Sequence, residues 1–191
     1  DDRDLYERIV EDFRGLIKQY GYEDKPIIMT ELGINTSAGV NYGQYSIREQ
    51  AISVIRYYVM NKMTQKKYGQ KDIMIWYKGW EANYTIATEQ FGLIEAPWNK
   101  EVSGARLGFA SYNALATLMN RSEYVEGNDD GNVKIHKLRH ESGKDMMVMW
   151  TSKGSEEISI KCNGTPEFYD MAGSSLDVPV HNGEFSLTLT R

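Results

Sequence analysis

The stretch "KPIIMTELG", residues 25–33, constrains the fold more than any other part of the sequence. After Pro26, a short run of Ile27, Ile28 and Met29 gives way within two residues to a glutamate, Glu31, and then to Gly33. A run this short and this apolar reads as a strand of a parallel sheet, buried on both faces. Parallel strands need a crossover between them, usually a helix, and the flanking sequence supplies helices. Leu5, Ile9, Phe13, Leu16, Ile17 and Tyr20 recur at helical spacing, which predicts an amphipathic helix over residues 4–20, stopped by Gly21. Ser46 and Glu49 have capping-box spacing and open a second helix over 46–63, with Ile47, Ala51, Val54, Ile55 and Tyr58 as its buried stripe. "DIMIWY", residues 72–77, is a second strand, and residues 106–119 form a third helix.

The later part of the chain has another character. "EGNDDGN", residues 126–132, reads as a break, and the segments beyond it are short, β-rich and punctuated by turns. "VKIHKL" and "DMMVMW" are joined through Ser142-Gly143 as a hairpin. "EEISIKC" alternates, and "HNGEFSLTLT" combines an Asn182-Gly183 turn with alternating Phe185, Leu187 and Leu189. The expected organisation is an α/β region over 1–122 followed by a small antiparallel β-sandwich over 132–191.

Composition excludes several classes. An apolar fraction of 41% supports a packed core. A formal net charge of -5, with no dense Lys/Arg patch, argues against a general nucleic-acid binder. No apolar run approaches membrane-spanning length, and the opening "DDRDLYERIV" has no signal-peptide character. Cys162 is the single cysteine, and His136, His140 and His181 lack metal-ligand spacing, so neither a metal nor a cofactor is expected.

The α/β region is not self-sufficient as read. Two parallel strands leave open edges and apolar faces, whereas a (β/α)8 barrel closes with eight units and roughly 250 residues. The sequence also opens within a helical pattern. The expected fold is therefore the last two βα units of a (β/α)8 barrel, with the N-terminal half of the parent barrel as partner.

Read in order, "KPIIMTELG", "IMIWYKGWEANYTIATEQFGLIEAPWNKEVSGARLGFASYNALATLM" and the β-rich tail with "FYDMAGSSLDVPV" resemble the last part of a clan A retaining glycoside hydrolase of the family 39 type. In that family a "W-x-T-E-x-G" motif closes the seventh barrel strand, and its glutamate is the nucleophile. Met29-Thr30-Glu31-Leu32-Gly33 matches, with Met29 departing one step before the Thr-Glu pair. The "N-E" pair that carries the acid/base is also absent; "EANY" at Glu81 has the wrong order. The resemblance implies a β-linked glycan as substrate and a secreted or periplasmic parent.

The chemistry gives the glutamate its reason. A retaining glycosidase sets two carboxyl groups about 5–5.5 Å apart, one ionised to attack the anomeric carbon and one protonated to assist the leaving oxygen. Glu31 would be the first; otherwise it is a solvated strand-end carboxylate. Trp76 would either stack on the sugar or fill the barrel top. Tyr77 and Trp80, in a loop that also holds Tyr84 and Trp98, would form sugar subsites or a plug against the β-region. Asn35 and Glu89 would bond sugar hydroxyls, or serve a turn and a loop surface. Besides an enzyme portion, two alternatives stand: a non-catalytic carbohydrate-binding relative, and a half-barrel assembly unit.

Overall fold

The computed structural model describes residues 2–36, 45–80, 90–95, 104–128 and 131–190. Helix α1 (Asp2–Gln19) leads through Gly21, in the left-handed conformation at φ 75°, to strand β1 (Ile28–Leu32). Helix α2 (Ile47–Tyr68) follows, then strand β2 (Ile73–Trp76) and helix α3 (Leu107–Leu118). The expected capping box forms: Ser46 accepts from the Glu49 amide, and the Glu49 carboxylate accepts from the Ser46 amide. α2 outruns its expected end by five residues, because Gly69, at φ 65°, is its true stop.

β1 and β2 pair in parallel, as expected, with Ile28 opposite Ile73 and Met29 opposite Met74. They are not buried on both faces. Met74 and Trp76 are packed under the helices, but Ile28, Ile73 and Ile75 remain 55%, 49% and 48% exposed. Helices cover one face, and among the described residues nothing covers the other. α1 departs from expectation in a related way. Its packed side is Tyr6, Val10 and Arg14, while Phe13, Leu16 and Tyr20, part of the apolar stripe read from the sequence, face outward. Both apolar surfaces suit a further layer of structure.

The β-rich part holds β3 (Ser122–Asn128), β4 (Val133–His140), β5 (Asp145–Thr151), β6 (Ser155–Lys161), β7 (Phe168–Tyr169), β8 (Ser175–Leu176), β9 (Val180–His181) and β10 (Glu184–Thr190). They form antiparallel sheets ordered β3-β4-β5, β6-β10-β9 and β7-β8. The stretch expected as a break is partly strand: β3 runs to Asn128 and pairs with β4, so its backbone groups are satisfied in spite of turn-forming residues. The Asn182-Gly183 turn forms, with φ 53° and 73°, as a tight hairpin requires.

α2 joins the two parts. On one side Val54, Tyr57 and Met60 pack with Tyr6, Val10, Met74 and Trp76. On another, Val59 packs with Met119 and Leu138, flanked by Met146, Val148 and Trp150. Cationic side chains stitch this seam. Arg56 lies over the Trp150 ring and donates to the Thr151 carbonyl; Lys62 and Lys66 donate to the Ser122 and Val125 carbonyls.

At the N-terminal edge of the parallel strands, Asp72 gathers α1, the approach to β1 and α2. Its carboxylate accepts from Arg14 of α1 and from the Ile27 amide at 2.7 Å. Its carbonyl accepts from Asn61 and Gln65 of α2. Both members of the Arg14–Asp72 pair are buried. Removing one charge strands the other in a poor solvent. Asp72→Ala is therefore expected to lower the unfolding free energy by about 3–5 kcal/mol in urea titration.

A surface pair on the β4–β5 hairpin gives a pH-dependent signature. Arg139, with help from Lys137, holds the Asp145 carboxyl well below the usual range, at about 2. A depressed carboxylate favours the fold above its unfolded value of about 3.9. That contribution fades as pH falls from about 4 toward about 2, and salt screens it because the pair is exposed. Carbon-detected titration of Asp145 should give a midpoint near 2, rising toward the ordinary value in Arg139→Ala.

Candidate active site

The position of Glu31 depends on a bulge. Met29 pairs with Met74, but Leu32 pairs with Trp76, so β1 uses three steps where β2 uses two. Strict alternation would point residue 31 to the helix side, like Met29. The extra residue re-aims it. Leu32 takes the helix-facing place and packs against the core, while Thr30 and Glu31 are both exposed. Glu31 thus stands at the C-terminal end of β1, off the helix layer, and its carboxylate has no hydrogen-bond or ion-pair partner among the described residues.

Trp76 does not join it. Trp76 is buried on the helix side, its ring 6.3 Å from that of Tyr57. Even positions of β2 face the helices, so the core reading of Trp76 holds and the stacking platform does not. Tyr77 is the better-placed aromatic. Alternation carries it to the side of Ile73 and Ile75, and its amide donates to the Leu32 carbonyl at 2.8 Å. Its ring meets Phe91 edge-on at 5.6 Å. The chain then turns through a cis peptide between Tyr77 and Lys78. Trp80 follows, 60% exposed, on a segment held by the Ile94 amide bonding to the Gly79 carbonyl at 2.9 Å.

Asn35 is also committed elsewhere. It is buried, and its side-chain oxygen accepts from the Gln90 amide at 3.1 Å, so it fastens two loops instead of facing the open side. Glu89, Tyr84 and Trp98 lie outside the described residues.

The loops at this edge are tied by residues that the sequence reading passed over. Thr36 bonds Gln90 through its amide, and Arg106 donates to the Thr36 hydroxyl and the Gly92 carbonyl. Gln50, fully buried at the start of α2, donates to the carbonyls of Ile34 and Phe91. One signal was available: Gln50, Val54, Tyr57, Asn61 and Thr64 share a helical face, and polar residues on an apolar face are either errors or anchors. Among the described residues no group of His, Cys, Asp and Glu is disposed to hold a metal ion, and no helix is long and apolar enough to cross a membrane.

No family model and no curated protein matches the sequence. A solved structure does match the fold: a family 39 glycoside hydrolase from the gut symbiont Bacteroides cellulosilyticus WH2, at TM-score 0.65 and 20% identity. The match covers 86% of this chain and 32% of that one. The chain shares the fold of that part of the enzyme. It spans about a third of the enzyme's length.

Gly33, which closes the Thr30–Gly33 motif, has a clear steric role. A Cβ there would lie 1.9 Å from the Tyr77 carbonyl oxygen and 3.2 Å from Phe91. The β1 exit can hug the β2 exit because residue 33 has no side chain. Gly33→Ala should cost about 1–3 kcal/mol by overpacking. Gly15→Ala, on α1 with nothing within 4 Å, should be neutral or stabilising. Comparing the two denaturation midpoints checks the assignment.

Proposed function

We propose that this chain is the nucleophile-bearing C-terminal portion of a retaining glycoside hydrolase acting on a β-linked glycan, with Glu31 as the nucleophile. The observation that carries the reading is the bulge-directed Glu31. It is a carboxylate unpartnered among the described residues, at the C-terminal end of a parallel strand, the edge where (β/α)8 barrels do their chemistry. In the proposed reaction Glu31 attacks the anomeric carbon and forms a glycosyl-enzyme. A second carboxyl group protonates the departing oxygen and then activates the water that releases the sugar. Tyr77 and Trp80 offer apolar surface to sugar C–H faces. The remaining strands, and the acid/base with them, are proposed to come from the N-terminal half of a parent barrel, seated on the open face of Ile28, Ile73 and Ile75. A secreted or periplasmic parent suits a glycan substrate.

The same geometry is compatible with a second reading, a carbohydrate-binding relative without turnover, in which the parent barrel supplies no acid/base. Activity separates the two. The 191-residue chain alone is expected to show no enzymic turnover of aryl β-xyloside, β-glucoside or β-mannoside. The missing acid alone is worth on the order of 10²–10⁴-fold. With the barrel completed, turnover should appear and Glu31→Ala should abolish it. Azide should then restore part of it with an activated glycoside, because a small anion fits the vacated space. Near-normal turnover in Glu31→Ala would end the covalent assignment.

A further inference from the structure

We infer that Gln50 is the positioning residue of the Glu31 edge, a role that rests on the proposed reading of Glu31 as nucleophile. The segment that follows Glu31, residues 33–36, has no secondary structure of its own. Neither has the segment 90–93, which lies against it. Two irregular segments side by side have carbonyls that no ladder satisfies, and buried carbonyls demand donors.

Gln50 supplies both donors from one nitrogen. Its Nε2 donates to the Ile34 carbonyl at 3.0 Å and to the Phe91 carbonyl at 3.2 Å, the latter reached more weakly by the Lys78 amide at 3.5 Å. The contacts fix the amide's orientation, since an oxygen in that place would face two carbonyl oxygens. Oε1 points the other way and has no hydrogen-bond partner. It lies toward α3, where a Cβ on Gly108 would come within 3.3 Å of it and within 2.8 Å of Leu93. A glycine in the first turn of α3 thus leaves room for the Gln50 amide and the Leu93 side chain together. The clamp sits on the first turn of α2, which the capping box holds rigid. Through it, α2 and α3 set the path of the chain immediately beyond Glu31 and the path of Phe91, against which Tyr77 packs.

A general stabilising role predicts something different from a local clamp. Loss of general stability would loosen both edges of the sheet; loss of the clamp would loosen one. The test is amide hydrogen exchange and carboxyl-carbon spectroscopy on the labelled chain, comparing wild type, Gln50→Met, Gln50→Glu and Asn61→Ala. Methionine keeps length and packing but has no donor; an ionised glutamate repels both carbonyls. Both Gln50 variants are expected to speed exchange at the Thr36, Leu93 and Ile94 amides on the order of tenfold or more, and to shift the Glu31 carboxyl resonance. The Ile73 amide, bonded to the Ile27 carbonyl at the opposite edge, should stay protected. Asn61→Ala, at that opposite edge, should leave the Glu31 resonance in place. Uniform loss of protection at both edges, or an unmoved Glu31 resonance in both Gln50 variants, would overturn the inference. No readout needs turnover, so failure here is distinct from failure of the glycosidase reading, which the Glu31 variants decide.

Discussion

The fold depends on a helix with more than one buried side. α2 packs the parallel strands with one side and the β-rich part with another, and Ala51, Val54, Val59 and Met60 along it are completely buried. A helix ordinarily buries a single stripe. Here the second is made possible by the seam residues. Arg56, Lys62 and Lys66 line its rim and donate to main-chain carbonyls of the β-rich part. The β-rich part is therefore fixed to the α/β part through α2, which also supports the candidate site.

The two edges of the parallel strands carry different burdens. At the N-terminal edge, Asp72 ties α1, the start of β1 and α2 together through a buried ion pair and backbone contacts. At the C-terminal edge the polar contacts are mostly side chain to main chain and join segments distant in sequence: Gln50, Asn35 and Thr36 hold irregular segments, and Arg106, which also pairs with Glu95, buttresses them. Glu31, at the end of β1 just before these segments, has no hydrogen-bond or ion-pair partner among the described residues.

The helices and parallel strands were legible because periodicity and caps report directly on burial. Ser46 and Glu49 gave the start of α2 to the residue, and "DIMIWY" gave β2. What failed was orientation. Trp76 and Tyr77 are adjacent aromatics at a strand end, and composition cannot say which faces the helices; that depends on the parity of a strand whose partner bulges. The same bulge rescued Glu31, which strict alternation would have turned inward. Asn35 looked like a free polar side chain because its partner, the Gln90 amide, is 55 residues away. On α1 the conspicuous stripe of Phe13, Leu16 and Tyr20 faces outward, and Tyr6, Val10 and Arg14 pack inward.

The central claim, that Glu31 forms a covalent bond to sugar, is tested most directly by trapping. A set of 2-deoxy-2-fluoro β-glycosides with activated leaving groups, incubated with the barrel-completed protein, would slow release of the glycosyl-enzyme enough for peptide mass spectrometry. The account predicts a sugar adduct on the peptide containing Thr30-Glu31-Leu32, with fragmentation placing it on Glu31. An adduct on any other carboxylate, or turnover with inversion and no adduct, would contradict it.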